Sequence, residues 1–182
     1  MTKALDFTSG YASRRPPMLG HNAVATSQPL AAQAGMKMLQ LGGNAVDAAI
    51  AAAMALTVVE PTGNGIGSDA FAIVWDGEKL HGLNASGRSP ASWHADLFAG
   101  KTAVPEIGWD AVTVPGAVSG WVALAERFGT LPLTTLAQPA IDYARNGFPV
   151  SPLIGHLWQR GYSKLKDQPG FSACFAPEGR AP

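Results

Sequence analysis

The chain has 182 residues, and its thirteen basic and thirteen acidic side chains cancel, so no excess of positive charge suggests nucleic acid or an anionic membrane surface as a partner. Charged residues make up 14% of it, well below the roughly 25% of an ordinary soluble domain, so much of the surface is expected to be covered by something. One cysteine, Cys174, excludes an internal disulfide framework, supplies no metal-ligand spacing and reads as a small packed hydrophobe.

Residues 1–20 read as an irregular segment, with Arg14-Arg15 followed by Pro16-Pro17. They lack the apolar run of a secretory signal, so the cytoplasm is the expected location. Residues 21–182 are expected to form part of one domain. "NAVATS" (22–27) predicts a short strand. "QPLAAQAGMKMLQLGG" predicts a helix that begins with Pro29 in its first turn and stops at Gly42-Gly43. Leu30, Ala34, Met38 and Leu41 would share its core face.

Asn44 is a good N-cap for the next helix, with Asp47 placed to reach back to its amide. Ala45–Leu56 is apolar on all sides but for Asp47, which predicts a helix buried all round. It is too short to cross about 30 Å of hydrocarbon. Val58-Val59 already read as extended. "PTGNGIGSDAF" (61–71) then turns the chain toward a hairpin, "AFAIVWD" and "KLHGLNA", closed at Gly77-Glu78. "AVTV" (111–114) predicts another strand. Helices follow in 115–129, in 133–147 with a fresh start at Pro139, and in 151–165. After Asp167 the chain reads as irregular. Helices, hairpin, strand, helices make an α+β or layered pattern, not the strict alternation of a doubly wound sheet.

Few residues offer chemistry. Gly63, Gly65 and Gly67 give G-x-G-x-G, but a dinucleotide fingerprint follows a strand and opens a helix. Here the loop follows a helix and opens a strand, and it holds no lysine for a P-loop. Ser163 and Lys166 form S-x-x-K without the S-D-N and K-T-G motifs of serine acylases; a solvated helix end accounts for them. His21, His81, His94 and His156 have no metal-ligand spacing and read as surface or boundary residues. No cofactor is expected. Arg88 lies among small residues in "GLNASGRSPAS". Its fork suits bidentate binding of a carboxylate, or it anchors a surface loop.

Several stretches taken together resemble the γ-glutamyltranspeptidase family. They are "VATSQPLAAQAGMKMLQLGGNAVDAAIAAAMALTVVEPTGNGIGSDAFAIVWDG", "LNASGRSPA", "VPGAVSGWVALAERFG" and "LAQPAIDYARNGFPV". The resemblance implies the αββα sandwich of the N-terminal nucleophile hydrolases, an α+β fold that is incomplete in this chain. Family members are made as a precursor much longer than this chain. It cleaves itself ahead of a threonine whose hydroxyl becomes the nucleophile and whose new α-amino group acts as base. The implied reaction is transfer or hydrolysis of γ-glutamyl or related acyl groups, with glutathione the usual donor. This chain would be the first half or so of the large subunit: a fragment, a truncated product or one piece of a split protein. Its partners would be the missing C-terminal part carrying the threonine, and a small-molecule acyl substrate. No catalytic residue is expected here, and the chain should be inactive alone. A non-catalytic remnant acting as a binding module is the competing reading.

Well-studied members carry D-F-R-E-x-A-P, whose arginine grips the α-carboxylate of the glutamyl group. Here the stretch reads "NASGRSP". Without gaps, Ser86 takes the arginine's position and Arg88 follows two residues later. An intact strand pleat would keep both side chains on one face. The resemblance thus makes Arg88, with Ser86 beside it, the candidate substrate-binding residues. The same stretch is also similar to a branch of cephalosporin and glutaryl acylases.

Overall fold

The computed structural model describes residues 20–180 and 182; apart from Gly20, the expected irregular segment lies outside them. In chain order the elements are α1 (Pro29–Gln40), α2 (Ala45–Val59), β1 (Ala70–Trp75), β2 (Leu80–Ala85), α3 (Ala117–Phe128), α4 (Leu133–Asn146), α5 (Pro152–Leu165) and α6 (Phe171–Phe175). Single 3-10 turns lie at Ala95–Phe98 and Trp109–Ala111.

The α2 helix is the axis of the molecule. Its Ile50, Ala51 and Met54 pack with Met38 of α1, Ala117 and Trp121 of α3, and Leu136 of α4. A second cluster joins its Ala55 and Val59 to Ala31 and Ala34 of α1. Small side chains let the helices approach closely: a Cβ on Gly35 of α1 would fall 2.9 Å from the Ala48 carbonyl oxygen of α2. The α1 helix stops in the two-bond glycine motif that its ending predicts. Gly42, at φ +87°, donates to the Leu39 carbonyl, and Gly43 to that of Met38, which satisfies two orphan acceptors.

The N-terminus of α2 forms the expected reciprocal cap. Asn44 Oδ1 accepts from the Val46 and Asp47 amides, and Asp47 Oδ2 from the Asn44 amide. The same carboxylate also accepts from the Thr130 amide and hydroxyl, and Asn44 Nδ2 donates to the Phe128 carbonyl. The α3–α4 turn is therefore tied to the head of α2.

The strands β1 and β2 pair antiparallel with Trp75 opposite Leu80. Ala70, Ala72, Val74, His81, Leu83 and Ala85 are half-buried, while the alternate positions are exposed. The half-buried face lies against α3, where Gly120 leaves room for Ala85 and Leu83. The turn is longer than the two residues expected. Asp76–Lys79 form a four-residue loop in which Asp76 Oδ1 accepts the Glu78 and Lys79 amides, and Gly77 takes φ +105°.

Other expectations are corrected. Residues 22–27 form no strand; Val24 instead lies against Gly35 of α1. Val58 and Val59 stay helical, because the burial of Val59 against α1 overrides the stiffness of β-branched side chains. Residues 111–114 enter no ladder. The α4 helix runs unbroken through Pro139; Leu136 and Ala140 on either side pack on the α2 core, which compensates for the lost amide. The α2 helix is not covered all round, since Ala45 and Ala49 are exposed. Leu41 falls past the end of α1 and is exposed. Beyond Asp167 a short helix, α6, lies beside α5, with Trp158 Nε1 donating to the Phe175 carbonyl.

Candidate functional site

The glycine-rich loop proves to be a connector. Gly63, Gly65 and Gly67 all lie outside the left-handed region. A Cβ at Gly63 or Gly67 would meet nothing within 4 Å, so nothing among the described residues requires those glycines. What the loop does supply is the Ser68 carbonyl. It accepts the Gly116 and Ala117 amides at 3.0 Å each and so satisfies two of the open amides at the N-terminus of α3.

The stretch that follows β2 runs against that same N-terminus. Asn84 Oδ1 accepts the Ser86 amide at 3.0 Å. The Thr113 hydroxyl donates to the Ser86 carbonyl at 3.4 Å, and the Val114 amide donates to the Arg88 carbonyl at 2.9 Å. Gly87 takes φ +79°. The strand ends at Ala85 and this left-handed residue follows, so Ser86 and Arg88 do not share a pleated face as an intact strand would have it. Ser86 is half-buried, and its hydroxyl donates to the Gly87 carbonyl at 3.4 Å. Arg88 is exposed and has no ion-pair partner among the described residues. The structure thus brings the two candidates together along one held segment and gives them different environments. The Val114–Ala117 stretch that holds them carries no chemical signal in the sequence; only its Pro115-Gly116 pair stands out.

The remaining candidates lie apart. Ser163 is exposed and bonds back to the Gln159 carbonyl at 3.1 Å, a local helix contact rather than a pairing with Lys166. Cys174 is exposed, not packed. His21, His94 and His156 are exposed. His81 faces inward from β2, with Nε2 2.5 Å from Asp76 Oδ2 and Nδ1 3.1 Å from Arg127 Nη2 of α3. The backbone amide of Lys79, then His81 and the amide of Glu78, hold the Asp76 carboxyl well below its usual range. This junction spans a turn and a distant helix, so periodicity gave no sign of it. Among the described residues no group of three or more His, Cys, Asp or Glu could hold a metal ion, and no helix is long and apolar enough to cross a membrane.

The family model described as Gamma-glutamyltranspeptidase matches residues 31–182. The chain is 40% identical, over 162 residues, to the glutathione hydrolase-like YwrD proenzyme of Bacillus subtilis, covering 87% of this chain and 31% of that protein. It is 36% identical to the acylase ACY 1 proenzyme of Pseudomonas sp. (strain V22), covering 98% and 34% respectively. Among solved structures, the cephalosporin acylase from Bacillus halodurans superposes with a TM-score of 0.85 at 49% identity, over 99% of this chain and 35% of that one. The chain therefore spans about a third of the length of these relatives.

Proposed function

Because this chain belongs to the γ-glutamyltranspeptidase family, we propose that it is the N-terminal part of an enzyme that transfers or hydrolyses γ-glutamyl or related acyl groups. The fold is α+β, an incomplete portion of the αββα sandwich of the N-terminal nucleophile hydrolases. A C-terminal part carrying the nucleophilic threonine completes the enzyme. Two relatives named as proenzymes, each about three times as long, support that reading. The enzyme works in the cytoplasm, and residues 21–182 are a partial domain, the first half of its large subunit.

Arg88 carries the proposal at residue level. It is an exposed guanidinium with no ion-pair partner among the described residues, on a segment whose backbone is held by Thr113 and Val114, just ahead of α3. A free fork pairs with a carboxylate through two parallel bonds, so Arg88 binds the carboxylate of the acyl donor, and Ser86 lines the same place. Glutathione is one such donor. A glutaryl-type acyl group is another, favoured by the similarity to the cephalosporin acylase and by Ser86 standing where the family has arginine.

The test is kcat/KM in the complete enzyme for matched donors with and without the carboxylate. Arg88→Ala should lower it for the carboxylate donor by roughly ten- to hundredfold, with Arg88→Lys recovering part. The donor lacking the carboxylate should be nearly indifferent. Equal losses on both donors would make Arg88 a structural anchor. The isolated chain should hydrolyse no γ-glutamyl anilide; turnover abolished by Ser163→Ala would overturn the threonine reading.

A further inference from the structure

We propose that Gly87 and Gly116 are positioning residues for Arg88: they form a backbone crossing with no room for a side chain on either segment. A Cβ on Gly87 would fall 1.8 Å from the Val114 carbonyl oxygen, and one on Gly116 would fall 2.1 Å from the Ala85 carbonyl oxygen and 2.7 Å from the Gly87 nitrogen. All of these neighbours are main-chain atoms. A methyl group at either position cannot be absorbed by a side chain swinging aside; one backbone has to move. Gly87 carries a second demand, since its φ of +79° is a conformation that L side chains rarely adopt.

The crossing is anchored on both sides. Gly116 and Ala117 donate to the Ser68 carbonyl, and Ala117 and Trp121 of the following helix sit in the core. The Arg88 carbonyl accepts from Val114, two residues before Gly116, at 2.9 Å. The Arg88 side chain is exposed and has no ion-pair partner among the described residues. The root of the guanidinium is therefore placed by main-chain contacts with the α3 N-terminus. This inference deepens the carboxylate reading and rests on it for its catalytic consequence, because displacing a binding group by about 1 Å can cost on the order of a hundredfold in rate.

The positional part is tested in the complete enzyme by limited trypsin digestion. Trypsin cuts after Arg88, at a bond whose carbonyl is held by Val114. Gly116→Ala and Gly87→Ala should each speed cleavage there by about tenfold or more, while cleavage within α3 and α4 at Arg127 and Arg145 stays slow. Gly120→Ala is the control. Its Cβ would meet the Ala85 side chain at 2.7 Å, not the 86–88 backbone, so Ala85→Gly should relieve it. Unchanged cleavage at Arg88 in both glycine variants would overturn the inference. So would equal acceleration at all sites, since the crossing would then hold the fold rather than the arginine.

The catalytic part is read in the complete enzyme. Gly116→Ala should raise KM for the carboxylate donor about tenfold and leave the donor without it unchanged. If Arg88→Ala alters the preference between donors and Gly116→Ala does not, the positioning role fails by itself. If Arg88→Ala does not alter it, the carboxylate reading fails, and the trypsin result alone decides whether the crossing places Arg88.

Discussion

Asp47 shows how one acid can join two parts of the chain. It is wholly buried, and burial alone would raise its carboxyl pKa. Hydrogen bonds from the Thr130 hydroxyl and from the Asn44, Thr130 and Leu131 amides outweigh that effect, and the value falls below the ordinary one. A lowered native pKa gives stability that is present above the unfolded value, near 3.9, and is lost as pH falls through the native value. Asp47→Asn should therefore cost about 1.5–3 kcal/mol at neutral pH, read as a lower urea midpoint. The gap between variant and wild type should narrow below about pH 4; a constant gap would mean that only the shape of the side chain matters. Half of this arrangement was legible. Asn44 and Asp47 lie three residues apart, and the cap follows from their spacing. Thr130 was not legible, because no local pattern says that the α3–α4 turn returns to the head of α2. The site divides the same way: Arg88 stood out by its charge among small residues, but the glycine crossing depends on contacts between distant segments.

Helices were legible where punctuation and periodicity agreed, as in Pro29 to Gly42 and Asn44 onward. Packing overrides local preference at Val58-Val59 and at Pro139, where the helices run on. The two supposed strands failed for lack of a partner, since a β-prone run becomes a strand only if another edge is free beside it. The hairpin itself is seated on α3 through His81, whose ring also lies 5.0 Å from that of Phe128. With a hydrogen on Nε2 the ring donates to Asp76, while Nδ1 faces the Arg127 guanidinium. His81→Ala should release this end of the hairpin. The Glu78 and Lys79 amides should exchange faster with solvent while those of α2 are unaffected. The stability cost should be small, as for the loss of a partly exposed hydrogen bond. Unchanged exchange at Glu78 and Lys79 would show that the loop is held by Asp76 alone.

The molecule as a whole has an uncovered side. Phe71, Ile73, Trp75 and Leu80 on the outer face of the hairpin are 62–76% exposed, and among the described residues nothing pairs with either edge of the two-stranded sheet. Apolar faces and open edges associate, and few charges are available to oppose it. The isolated chain should sediment as a mixture of associated species. Phe71→Lys with Ile73→Lys should shift it toward monomer without lowering its melting temperature. A monodisperse wild-type chain with a sharp melt would contradict this. The bond between Asp47 and Thr130 has one more consequence, for the newborn chain. Asp47 leaves the ribosome 83 residues ahead of Thr130, which at 5–20 residues per second is an interval of roughly 4–17 s. For most of it α1 and α2 are both out and can pair with each other, while the Asp47 carboxylate in the first turn of α2 has only its own cap for company. Translation therefore delivers a helical pair first, and the halves can be locked together only when residue 130 arrives.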